Sequence, residues 1–88
     1  MTTHELKLSH VFFADVLNNL KRAELRKADR PFQVGDHLLL NEMRGEVGTG
    51  KSLRRVITHI YSTPAHGLLL GYVMLSIRPL TREEKAEL

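Results

Sequence analysis

Cysteine is absent from the 88 residues, and so is tryptophan. The first absence excludes disulfides, thiol catalysis, cysteine-ligated zinc and iron–sulfur clusters. Proline occurs 3 times and glycine 6 times, and no linker, repeat or low-complexity block interrupts the chain. No apolar run approaches the roughly 20 residues of a membrane-spanning helix; the densest stretch is Leu68-Leu69-Leu70. Met1-Thr2-Thr3-His4-Glu5 lacks a basic segment followed by an apolar one. No secretory signal is therefore expected, and a cytoplasmic location is. What is present is a chain 42% hydrophobic and 26% charged, enough for one modest globular core. Thirteen Lys and Arg against ten Asp and Glu give a formal charge of +3, compatible with nucleic acid or another anion as partner.

His4 to Leu8 alternates polar and apolar residues, which predicts a short strand with Leu6 and Leu8 inward. Ser9 has the chemistry of a helix N-cap. Phe13, Val16, Leu17 and Leu20 follow at helical spacing and predict a helix over 10–20 with one buried stripe. From Lys21 to Arg30, Ala23 and Leu25 alternate with Arg22, Glu24 and Arg26, predicting a short strand with a charged face. Pro31 and Gly35-Asp36 mark a turn. Further strands are expected over 37–43, 53–61 and 71–77, the second on the strength of Val56, Ile57, Thr58 and Ile60. Arg44 to Gly50 reads as a hairpin loop. Thr81 to Glu84 has capping-box spacing, so the tail at 81–88 can begin a short helix after a domain at 1–80. The sum is an α+β domain with a small, strongly bent sheet or partly open barrel.

Gly45 to Ser52 fits the pattern G-x-x-x-x-G-K-[ST] of a phosphate-binding loop. That loop needs a strand before it and a helix after it. Leu53 to Ile60 is β-rich, and no later apolar strand ends in a magnesium-binding aspartate. The segment is expected to be a glycine-rich turn with an exposed lysine.

Lys21, Arg22, Arg26, Lys27 and Arg30 lie within ten residues, with Glu24 and Asp29 among them. On a strand Arg22, Glu24 and Arg26 share one face. Two readings stay open: an anion site, with arginine forks on phosphate oxygens, or a solvated face that Glu24 neutralises. Arg54 and Arg55 join the same groove if their strand is adjacent. The five histidines are scattered without metal-site spacing, so no metal is expected. Tyr61, Tyr72, Phe12 and Phe32 offer faces for base stacking, although Phe32 between Pro31 and Gln33 also suits a plug under the loop.

Several pieces stand in a recognisable order: His4-Glu5-Leu6-Lys7-Leu8, then Glu24-Leu25-Arg26-Lys27 and Asp29-Arg30, then Phe32-Gln33-Val34-Gly35-Asp36, and finally Gly71 to Leu80. Together they resemble the small bacterial and phage proteins of the ASCH superfamily. The resemblance implies a PUA-like fold, a small β-barrel with one helix packed at its opening. It also implies RNA or a nucleotide-like ligand as partner, with no cofactor, metal or membrane. The ligand cleft it implies holds Lys21, Arg22, Glu24, Arg26, Lys27 and Arg30, with Arg55 added from the neighbouring strand. A glycine usual to that motif is replaced near Asn19. One ASCH branch hydrolyses acetylated cytidine through a threonine three positions after a lysine, and here that position is Glu24. If the protein were such a hydrolase or a ribonuclease, Lys21 and Glu24 would be the catalytic pair. A protein-interaction module using Leu68 to Leu70 is the further alternative.

Overall fold

A computed structural model describes all 88 residues. Five strands and two short helices follow the order β1 (Thr3–Ser9), α1 (His10–Leu17), β2 (Ala23–Lys27), β3 (His37–Arg44), β4 (Val47–Tyr61), β5 (Tyr72–Arg78) and α2 (Arg82–Ala86). The strands form one mixed sheet, ordered β1-β3-β4-β5-β2, in which only β1 and β3 run parallel. No helix is long and apolar enough to cross a membrane.

Period-two alternation sets the inner face. His4, Leu6 and Leu8 on β1 and Val73, Leu75 and Ile77 on β5 turn inward, while their sequence neighbours turn out. With Leu38, Leu40, Leu53, Ile57, Phe13 and Val16 the apolar ones among them make a single core of 11 buried side chains. Phe32 and Ile60 pack at its margin, as the plug reading of Phe32 expects. Register shifts at Asn41/Met43 and Ile57/His59 bend the sheet.

The helix is shorter than its apolar spacing predicts. Asn19 takes a left-handed φ of 60°, an angle that asparagine tolerates better than most residues. The Asn19 N–H donates to Val16 O and the Leu20 N–H to Asp15 O, the paired bonds of a Schellman stop. Asparagine therefore supplies the left-handed residue at this turn. Phe13 and Val16 are buried as expected, but Leu17 and Leu20 fall at and beyond this stop and lie exposed. Ser9 does cap the helix, its hydroxyl accepting from the Val11 N–H at 3.3 Å. At the other end Thr81 and Glu84 form the capping box, and Arg78 donates to both Glu84 oxygens at 2.7 and 3.1 Å.

The loop expected over Arg44 to Gly50 is only a turn at Gly45-Glu46. β4 resumes at Val47, so Gly48 to Ser52 lie in an antiparallel strand and no helix follows Lys51. This geometry cannot fold around a nucleotide phosphate. Lys51→Ala is accordingly expected to change stability by less than about 0.5 kcal/mol in a urea titration, and to leave the calorimetric response to ATP the same as that of wild type.

Because β1 and β2 are consecutive strands at opposite edges of the sheet, α1 and its turn carry the chain from one edge to the other. The sheet curls until these edges stand one arginine side chain apart. It is not closed, since no backbone hydrogen bond joins β1 to β2. Arg26 Nη2 donates to the Lys7 carbonyl at 2.7 Å and Arg30 Nη1 to the Glu5 carbonyl at 3.2 Å. Two side chains thus occupy an edge that would otherwise invite a foreign strand.

Candidate functional site

Glu24 organises the basic segment. It is only 3% exposed, and a buried carboxylate is stable only with partners. Lys21 Nζ donates to Glu24 Oε1 and to the Ala23 carbonyl. Arg26 Nε donates to Glu24 Oε2 at 3.0 Å. Both carboxylate oxygens therefore accept from cations, and two of the segment's positive charges are held in place. Lys21 also stands 5.8 Å from the centre of the Phe12 ring.

The orientation of β2 reverses the sequence reading. Glu24 and Arg26, expected on a solvated or ligand-facing charged face, turn inward, and Leu25, on the opposite face, is largely exposed. The cause is the edge position: the inner face of β2 meets the seam with β1, where Lys21 and Arg26 can neutralise Glu24. On the outer face Leu25 pairs with Met74. Tyr61, Tyr72, Leu68 and Leu69 complete an open apolar groove of about 620 Å³ there. The two tyrosines are thus apart from the basic residues; Leu69 lines the groove, and both it and Leu70 are exposed rather than in the core.

A second cleft, of about 380 Å³, opens along the seam itself. Glu5, Leu6 and Lys7 line one side, Arg26, Lys27, Asp29 and Arg30 the other, and Phe32 the end. Lys7 and Lys27 are exposed and make no ion pair. Arg30 is loosely held, by the Glu5 carbonyl, by Asp29 at 3.6 Å and by the Phe32 ring at 6.0 Å. Lys7 escaped the sequence reading because it looks like any outward polar residue on an alternating strand.

Of the expected site residues, Arg26, Lys27 and Arg30 line this cleft, and Lys21, Arg22, Glu24 and Arg55 do not. Arg55, 8% exposed, donates to the carbonyls of Val16 and Leu17 at the C-terminus of α1, at 2.8 and 3.4 Å, and to its neighbour Arg54. Its charge meets the negative end of the helix rather than the seam, and burial pushes its pKa down. Arg22 donates to the Asn19 carbonyl at 2.8 Å and braces the turn. The N-terminal end of β1 is tied by Asp36, whose carboxylate accepts from His4 Nε2 at 2.8 Å and from the backbone N–H groups of Thr2 and Gln33. Burial raises the Asp36 pKa, but these hydrogen bonds outweigh it and hold the carboxyl below its ordinary value. Nowhere do three His, Asp or Glu side chains converge as metal ligands.

The fold and seam define a small α+β protein whose curled sheet leaves a charged gap between its edge strands. Residues 3–77 match the family described as a domain of unknown function, DUF3850, and the chain belongs to that family. It is also 41% identical over 83 residues to an uncharacterized 12.9 kDa protein in the GpA 3′ region of Escherichia phage P2. The match spans 89% of this chain and 74% of the phage protein.

Proposed function

We propose that this protein is a cytoplasmic RNA- or nucleotide-binding module of ASCH type, built on an incompletely closed PUA-like barrel. The seam carries this reading: Lys7, Arg26, Lys27 and Arg30 stand there against Glu5 and Asp29. Glu24 cannot offset them further, because its charge is shared between Lys21 and Arg26. A cleft with surplus cations and an aromatic residue at its end attracts the phosphates of a nucleic acid and leaves room for a base. The hydrolase alternative needs Glu24 as a general base with an oxygen open to substrate. That oxygen is taken, so binding is the better reading. The exposed leucines of the outer groove favour a protein partner as a second reading, which would show as RNA-independent association in sizing experiments.

Fluorescence anisotropy with a short single-stranded RNA tests the proposal. The logarithm of the binding constant should fall linearly with the logarithm of salt concentration, by about 0.7 per phosphate contact. Lys27→Ala should reduce that slope by about 0.7, as one contact is lost. No binding of RNA or nucleotides at about 50 mM salt, where such contacts are strong, would remove this reading.

A further inference from the structure

The seam cations divide into two kinds. Arg26 makes charge-assisted bonds to Glu24 and a 2.7 Å bond to the Lys7 carbonyl, and its side chain is 23% exposed. Arg30 has one 3.2 Å bond to a carbonyl and a long contact to Asp29, and its side chain is 37% exposed. A guanidinium has five N–H donors, so most of those of Arg30 are unused. Its carbonyl partner, Glu5 O, lies on an exposed strand edge where water can replace the lost donor at little cost. Lys7 and Lys27, with no carboxylate partner, line the same cleft.

We infer that Arg30, Lys27 and Lys7 form the seat for one phosphate group of the ligand, and that Arg30 leaves the Glu5 carbonyl to take it. This deepens the proposed RNA or nucleotide binding and rests on it. Lys21 and Arg26 do not touch the phosphate; they hold Glu24 and keep β2 at its distance from β1. The incoming oxygens replace a neutral carbonyl with an anion, for which two parallel guanidinium N–H donors are well matched. The two lysines supply charge without demanding geometry. The same chemistry is offered by an RNA phosphodiester and by the terminal phosphate of a free nucleotide.

Carbon-detected NMR on the uniformly ¹³C,¹⁵N-labelled protein tests the seat. The probes are hexauridylate, uridine 5′-monophosphate and uridine. Binding of a phosphate should move the Glu5 carbonyl ¹³C resonance while that of Lys7, still bonded to Arg26, stays nearly fixed. Uridine should leave both in place. A shift with both phosphorylated probes indicates a terminal phosphate suffices, and a shift with hexauridylate alone indicates a backbone phosphodiester; either supports the seat. Arg30→Ala should weaken the bound probe about tenfold, as loss of a charged hydrogen-bonding partner does. Lys51→Ala, which removes the same charge from the remote hairpin, should not. Hexauridylate binding with an unmoved Glu5 carbonyl and an unaffected Arg30→Ala affinity would overturn the seat and leave RNA binding standing. No binding of either phosphorylated probe would overturn both.

Discussion

Glu24→Gln is expected to destabilise the fold by about 3–5 kcal/mol, the usual cost of removing one partner from a buried ion pair. The side chain keeps its shape, but Lys21 and Arg26 then face an amide where a buried carboxylate stood. Half of that amide is an N–H donor pointed at donors. For a domain of this size each kcal/mol lowers the melting temperature by roughly 4–8 °C. The variant should therefore melt at least about 12 °C below wild type by differential scanning calorimetry. Replacing all three groups with apolar side chains, as Lys21→Met, Glu24→Leu and Arg26→Met, should recover part of the loss, because no uncompensated charge remains. A Glu24→Gln protein as stable as wild type would show that the carboxylate holds nothing together.

Asp36→Ala is expected to cost about 3 kcal/mol, since a buried charged acceptor of three hydrogen bonds disappears from the turn before β3. Its N–H donors at Thr2 and Gln33 and the His4 ring lose a shared anchor. The N-terminal end of β1 then loses its side-chain tie to the turn before β3, while the backbone ladder remains. The pH dependence has a definite sign. A carboxyl whose folded pKa lies below its unfolded value of about 3.9 contributes stability above that value, and the contribution is lost as pH falls through the folded pKa. The wild-type denaturation free energy should thus decline in this acid range, and the Asp36→Ala profile should be flatter there. Parallel profiles from urea titrations between about pH 5 and pH 2 would contradict the role given to Asp36.

Much of the architecture was legible in the residue pattern. The alternation at His4 to Leu8, the β-branched run at Val56 to Ile60 and the closing Tyr72 to Ile77 each specify a strand, and each forms one. Two boundaries were hidden for local reasons. The helix stops at Leu17 because Asn19 takes a left-handed conformation, while the apolar spacing continues through Leu20. The glycines at 48 and 50 suggested a loop, yet a two-residue turn leaves them inside β4.

The geometry of the candidate site was half legible. Clustered charge located the segment from Lys21 to Arg30, but not which of its faces turned inward. That depends on β2 being an edge strand beside β5, a nonlocal fact. A signal was present in Glu24 flanked at three and two residues by Lys21 and Arg26, a spacing that can close around one carboxylate. The partnership of Lys7 with the segment arises only because the sheet curls β1 toward β2. Arg55 was expected in the same groove, but the inner face of its strand meets the end of α1.

In the proposed binding mode the cations that hold the fold differ from those that hold the ligand, and melting temperature and RNA affinity of the same two variants test that separation most directly. Arg26→Ala should lose stability by several degrees or more, because Glu24 and the Lys7 carbonyl both lose a donor. Arg30→Ala should melt within a few degrees of wild type and bind a short single-stranded RNA about tenfold more weakly. The opposite pattern, with Arg26→Ala fully stable but defective in RNA binding and Arg30→Ala binding like wild type, would contradict it.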